Sequence, residues 1–343
     1  MNKSKKLTLL IASICTAGSL FAQVATSEYK VSRKINITGD GGWDYLIVDE
    51  PTRRLFVSHG TVTQVVDIKT GTLVATIPDT KGVHGIAIAN DINKGFISNG
   101  RDTSVTVFNL KTLEIIIKIK VPGINPDAIL YDEFSHKVFV YNGRTDNATV
   151  LDANTDKAIE TIKLEGKPEF SVTDGKGNIY VNIEDKNSIT LINAKTLKAE
   201  KTWSIAPGEE PTGLAIDTKN HRLFAVCGNK IMVVVNMIDG KVITTVPIGD
   251  GCDGVAFDEE RKCIFSSNGE GTVTVIKQEN ENKYTVLKTI DTQRGARTIT
   301  LNRSTHQLFL PTAEYGETPA STKENPHPRP TIKPNSFVIL VVE

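Results

Sequence analysis

Short apolar runs rich in Val, Ile, Leu and Thr recur along most of the chain, separated by polar turns rich in Gly, Asn and Asp. One stretch shows the pattern. An apolar run at 212–217 leads through a polar turn at 218–221 into Arg222-Leu223-Phe224-Ala225-Val226. A turn at 227–229, an apolar run at 231–236, a hairpin at 237–240 and a last run at 241–247 follow. Runs of this length, bounded by such residues, predict four consecutive β-strands. An aromatic residue stands third in each second strand: Phe56, Phe96, Phe139, Tyr180, Phe224, Phe265 and Phe309. The intervals between them are 40, 43, 41, 44, 41 and 44 residues. Four strands in a repeat of this length is the period of a propeller blade. No segment has ten or more residues of helical periodicity, which excludes folds that alternate strands with helices.

First strands are expected near residues 44–49, 84–89, 127–131, 169–173, 212–217, 253–258 and 297–302. The seventh unit has a third strand near 336–342 and no fourth, while residues 29–37 form a spare strand at the other end. That strand is expected to complete the last blade and to leave no gap in the ring. The expected fold is therefore all-β: one seven-bladed β-propeller over residues 23–343, with four-stranded antiparallel blades. Residues 312–335 interrupt unit seven and contain Pro319, Pro326, Pro328, Pro330 and Pro334. Proline prevents regular sheet, so an extended loop is expected, ordered as a flap over or beside the channel mouth.

Residues 1–22 follow a different pattern. Lys3, Lys5 and Lys6 precede an apolar stretch at 7–14 that stays weakly polar through Ala22. This reads as an export signal cleaved near Ala22-Gln23, with a periplasmic or secreted destination. The mature chain has no other stretch of about 20 apolar residues, so no membrane span is expected. Cleavage leaves 37 Lys plus Arg against 40 Asp plus Glu. That balance offers no field suited to nucleic acid or an anionic membrane. Three cysteines remain, Cys227, Cys252 and Cys263, so at least one thiol is unpaired in a monomer. Cys227 and Cys252 map to one face of adjacent blades, where a disulfide and two free thiols both stay open.

The units Pro211-Thr212-Gly213-Leu214-Ala215-Ile216-Asp217, Arg222-Leu223-Phe224-Ala225-Val226 and Asp239-Gly240-Lys241-Val242 resemble the YVTN-type repeats of YncE-like proteins. The likeness extends through Gly295-Ala296-Arg297, Gln307-Leu308-Phe309-Leu310-Pro311-Thr312-Ala313-Glu314 and Ser336-Phe337-Val338-Ile339-Leu340-Val341-Val342. Those proteins are exported bacterial seven-bladed propellers, so the resemblance implies that fold over the whole mature chain. About biochemistry it implies little. One such protein is reported to bind DNA, and related folds occur in surface-layer proteins and in the heavy subunit of quinoprotein amine dehydrogenases. The near-neutral charge argues against DNA here. This chain has no companion subunit carrying a quinone, so no cofactor is expected.

Candidate chemistry gathers at one end of the predicted channel. Twelve residues before the aromatic stand Asp44, His84, Asp127, Thr212, Asp253 and Arg297; in the shorter fourth unit Glu169 stands eleven before. These positions begin the innermost strands and should encircle the mouth. The turns after the second strands lie on the same face and bring Arg101 and Arg144, with Arg294 approaching from unit seven. Arginines facing carboxylates make either a salt-bridged rim or a pocket for an anionic ligand. The function expected is non-catalytic binding of a small polar or anionic ligand, or of an envelope partner protein, by a monomer. The alternatives are a hydrolase, lyase or lactonase using the same mouth, with His84 as base assisted by Asp127 or Glu169, and a structural envelope scaffold. No Gly-x-Ser-x-Gly elbow, phosphate loop or His-Glu-x-x-His motif supports catalysis. The ring can supply His84 with Asp44 or Asp127 to a metal, but no metal-site spacing is present and none is expected. His136, His221 and His306 precede second strands on the opposite face and read as solvated turn residues.

Overall fold

The computed structural model describes residues 29–322, 328 and 330–343. The expected export signal and His327 lie outside the described residues. Seven antiparallel sheets of four strands each form the blades of a propeller. In the first six, the strands run in chain order from the axis outward. The first strands are Trp43–Asp49, Val83–Ala89, Pro126–Asp132, Pro168–Thr173, Pro211–Asp217 and Cys252–Asp258. The seventh sheet runs Thr300–Asn302, Gln307–Thr312 and Val338–Val342, and the N-terminal strand Val31–Asn36 forms its outer edge. The first and last described strands thus enter one sheet. Lys30 and Glu343 exchange backbone hydrogen bonds of 2.9 and 3.1 Å beyond the last ladder pair. No helix among the described residues is long and apolar enough to cross a membrane.

The aromatic third residue of every second strand is buried. These rings lie between neighbouring sheets, and Phe56 meets Phe108 of the next blade at 5.6 Å. Burial of such a side chain is worth about 1.5–3 kcal/mol. Gly95 is fixed by the same packing, because a Cβ there would lie 2.1 Å from the Phe108 ring. Before the second strand, Arg53, Asn93, His136, His221, Lys262 and His306 each have φ between +51° and +59°. One left-handed residue in a tight turn matches the twist of the two strands it joins.

Two expectations need correction, and one open alternative is settled. The first strand of blade seven covers only Thr300–Asn302, because residues 295–299 leave the ladder after Gly295, whose φ is +85°. Side chains tie that segment to its neighbours instead: Thr298 Oγ1 donates to the Asp44 carbonyl at 2.7 Å, and Ser267 Oγ donates to the Arg297 carbonyl. His306 is not solvated, since its Nδ1 donates to Asp258 Oδ2 at 2.7 Å and its ring is largely covered. The cysteine alternatives resolve to free, buried thiols. Cys252 Sγ donates to the Cys227 carbonyl at 3.1 Å.

The described part of the 312–335 loop carries one isolated bridge, Tyr315 to Ile332, and no strand between Thr312 and Val338. Its base is ordered by Tyr315, whose ring packs 6.2 Å from Trp43 of blade one.

Two stability outcomes follow from this packing. Gly95→Ala forces the sheet against Phe108 and is expected to cost about 1–3 kcal/mol in urea unfolding, as overpacked cores do. Removing residues 29–37 unpairs the edge of Val338–Val342 and is expected to lower the melting temperature more than Gly95→Ala does. An unchanged melting curve would show that the ring does not depend on closure.

Candidate functional site

Each of the six long first strands is irregular at its start. Register shifts fall between Trp43 and Leu46, Val83 and Ile86, Pro126 and Ile129, Pro168 and Ser171, Pro211 and Leu214, and Cys252 and Gly254. A bulge re-aims the residues it contains. Asp44, His84, Asp127, Glu169, Thr212 and Asp253 all sit within these bulges. The displaced backbone is repaired by a polar residue two beyond the aromatic. Ser58 accepts from the Asp44 amide and Ser98 from the Gly85 amide, each at 2.8 Å. Asn182 donates to the carbonyls of Thr212 and Gly213 at 2.9 and 3.1 Å.

The bulges bring the ionisable residues into one network. His84 Nδ1 donates to Asp44 Oδ2 at 2.7 Å and lies 3.6 Å from Asp127 Oδ1. Arg297 Nε donates to Asp253 Oδ2 at 2.6 Å, and its Nη2 reaches Asp44 Oδ1 at 3.4 Å. Lys167 pairs with Glu169 at 2.7 Å and also with Glu184. A cavity of about 420 Å3 is lined by Asp44, Tyr45, Asp127, Lys167, Glu169, Glu184, Thr212, Asp253 and Arg297; His84 is bonded to its wall through Asp44 but is not itself in the lining. Five carboxyl groups thus face two fixed cations. Thr212 turns its hydroxyl to the Cys252 carbonyl at 3.1 Å.

Beneath this cavity the rings of Tyr45 and Phe170 approach to 5.3 Å across the channel. A second cavity of about 620 Å3, which both rings line, has aliphatic walls such as Ile47, Ile129 and Val255 together with polar side chains such as Glu50, Asn90, Thr173 and Arg303. The two rings stand between the charged mouth and this mixed shaft.

Arg101, Arg144 and Arg294 do not line the cavity. Arg101 and Arg144 are exposed and make no ion pair among the described residues. The Arg294 guanidinium lies 5.3 Å from the Tyr315 ring centroid, toward the insertion loop. Conversely, Tyr45, Lys167 and Glu184 line the cavity and were not foreseen, nor was Phe170, which packs against Tyr45. A signal existed for the two rings. The position after the ring residue is Gly85, Ala128, Gly213, Gly254 and Thr298 in the other blades, and aromatic only in blades one and four. Blade four also replaces the Asn142-Gly143 and Cys227-Gly228 turns of its neighbours with Ile183-Glu184, which brings Glu184 to Lys167.

The crowding holds protons. Burial, reinforced by Asp127, pushes Glu169 up to about 8 although Lys167 opposes it. Burial also raises Asp127 to about 6, against the pull of His84 and with the push of Asp44. Burial lifts Asp253 despite Arg297. At His84 burial disfavours the charged form, but the hydrogen bond to Asp44 and the field of Asp127 outweigh it and raise the pKa. Burial raises the Tyr45 hydroxyl well above its ordinary value, and the acids around it add to the effect.

No protein-family model matches the chain, and no curated protein matches it in sequence. Solved structures do match in shape. Hydrazine synthase of Kuenenia stuttgartiensis is 14% identical at a TM-score of 0.71, with 80% of this chain and 94% of that chain covered. A chain of a mitotic checkpoint complex is 11% identical at 0.73, covering 100% and 98%. U3-55K is 10% identical at 0.75, covering 91% and 99%. At such identities the likeness shows the fold alone, and that fold is the seven-bladed β-propeller.

The raised groups fix the sign of a pH dependence. A group whose folded pKa is raised contributes stability below its unfolded pKa and loses it as pH rises through the folded value. Glu169, Asp127, Asp253 and His84 are all raised, and they outnumber His59, which burial lowers. In metal-free buffer the melting temperature is therefore expected to fall from pH 5 to pH 8.5. The double variant Asp127→Asn, Glu169→Gln should flatten that slope. Equal slopes in the two proteins would place the proton-holding groups elsewhere.

Proposed function

We propose that this protein is an exported, non-catalytic binding propeller whose mouth cavity holds a small polar ligand carrying positive charge. The observation that carries the reading is the lining: five carboxyl groups and one unpartnered tyrosine hydroxyl against Lys167 and Arg297. Arg297 is already engaged by Asp253 and Asp44, and Lys167 by Glu169 and Glu184. The cavity therefore has surplus acceptors and no free cation, which favours a cationic ligand over an anionic one. A pocket of this size with convergent polar groups suits a small molecule. The resemblance to YncE-like repeats supports placement among exported bacterial propellers, and residues 1–22 support passage to the periplasm or beyond.

The exposed, unpaired Arg101 and Arg144 favour a second role for the rim. They stand on matching turns of neighbouring blades and suit an acidic surface of an envelope partner.

A thermal-shift panel tests the cavity reading. Primary amines, diamines and basic amino acids are compared with phosphate and citrate in chelator-treated buffer. At least one cationic compound is expected to raise the melting temperature by several degrees. The effect should be lost in Asp127→Asn, Glu169→Gln and kept in Arg101→Ala. Stabilisation by the anions alone, or cationic stabilisation that survives the double variant, would overturn the reading.

A further inference from the structure

We propose that Asp44, His84 and Asp127 form a binding site for one divalent transition-metal ion, bridging blades one, two and three at the edge of the mouth cavity. The inference rests on the cavity reading and names a specific cation for it. One ligand atom from each residue lies within 4.8 Å of the other two. The pairs that are already close are His84 Nδ1 to Asp44 Oδ2, 2.7 Å, and His84 Nδ1 to Asp127 Oδ1, 3.6 Å. A metal with bonds of about 2.0–2.2 Å to nitrogen and oxygen spaces neighbouring ligand atoms roughly 3.0–3.5 Å apart. Both distances reach that range by moves of a few tenths of an ångström. The ion takes the place of the proton that Nδ1 now shares with Asp44, and that proton passes to solvent.

The outer contacts leave the right atoms free. Asp44 gives Oδ1 to Arg297, and Asp127 gives Oδ2 to Asn125 at 3.4 Å. Each carboxylate is thereby oriented through one oxygen and presents the other to the imidazole. Such supporting contacts hold metal ligands in place. The His84 ring is held from behind as well, since a Cβ on Gly100 would lie 2.7 Å from Nε2. The backbone leaves room at that point for the ring and for nothing larger.

A separate observation points to a ligand here. Tyr45 is 9% exposed and lines the same cavity, yet its hydroxyl has no hydrogen-bond partner among the described residues. The hydroxyl opens on the cavity, so its partner must come from what the cavity holds. Water carried by the ion would supply it. Three protein ligands leave the remaining coordination positions open to the cavity. Two carboxylates and one imidazole suit Mn2+, Fe2+ or Zn2+ and lack the thiolates that select Cu+. They also provide too few oxygens for a calcium site.

Titration of the purified, chelator-stripped protein with Mn2+ alone, followed by calorimetry and pulsed EPR, tests the site. One saturable Mn2+ per chain is expected, with its electron spin coupled to one imidazole nitrogen. Asp127→Asn and His84→Gln should each weaken binding at least about tenfold. His136→Gln, whose ring also faces a carboxylate, should leave it unchanged. The nitrogen coupling is read on the unaltered protein, so a variant that fails to fold does not remove the test. No saturable binding, or binding without nitrogen coupling, overturns the metal site. If Mn2+ fails while an organic cation still stabilises the protein through Asp127 and Glu169, only the metal inference falls. If both fail, the cavity reading falls with it.

Discussion

Closure of the ring by Val31–Asn36 is the constraint on which the mouth depends. A propeller gathers one residue per blade at its axis only when the last sheet is held beside the first. Here the N-terminal strand zips onto Val338–Val342 through a ladder running from Val31–Val342 to Asn36–Val338. That ladder places blade seven against blade one, where Thr298 meets the Asp44 backbone and Arg297 meets the Asp44 carboxylate. An open ring would leave Asp44 without that cation. The hydrophobic packing between sheets supplies most of the stability, but the closing ladder decides where it brings the charges.

Within the closed ring the bulges do the local work. A regular strand would alternate its side chains between the two faces of each blade, where the aromatic packing lies. The bulge turns the residue at the strand start toward the axis instead. Its cost is a set of displaced backbone groups, which Ser58, Ser98, Asn182 and Ser267 satisfy. Close approach at the axis also demands small residues. A Cβ on Gly213 would lie 2.9 Å from the Gly254 backbone, and one on Gly254 equally close to Ile299. Tyr45 and Phe170 stand in the same column of positions and narrow the channel between the mouth and the shaft. A chamber lined by five carboxyl groups concentrates negative potential in a confined volume.

The fold was legible because its signal repeats. Seven aromatics at near-constant spacing set the blade count, and the spare strand at 29–37 set the closure. The ring positions were legible for the same reason, since counting back from an aromatic tracks the inner strand. Side-chain direction was harder to read. Arg101 and Arg144 share a face with the ring, but their turns point them to solvent, whereas Arg297 precedes its strand and points inward. Lys167 lies two residues before the counted position and enters only because Glu169 and Glu184 draw it in. Tyr45 and Phe170 were visible as the two aromatics in a column of small residues, but that pattern has meaning only once the column is known to face the axis. His306 illustrates the same limit: its turn position suggested water, and its partner, Asp258, comes from the neighbouring blade.

The most direct measurement is a crystal structure of the protein grown with Mn2+, with diffraction collected to locate the ion by its anomalous signal. The account predicts one peak among His84 Nδ1, Asp44 Oδ2 and Asp127 Oδ1, about 2.2 Å from each, with the open positions facing the Tyr45 hydroxyl. Peaks confined to the outer surface, with His84 still bonded to Asp44 and an anion in the chamber, would contradict it.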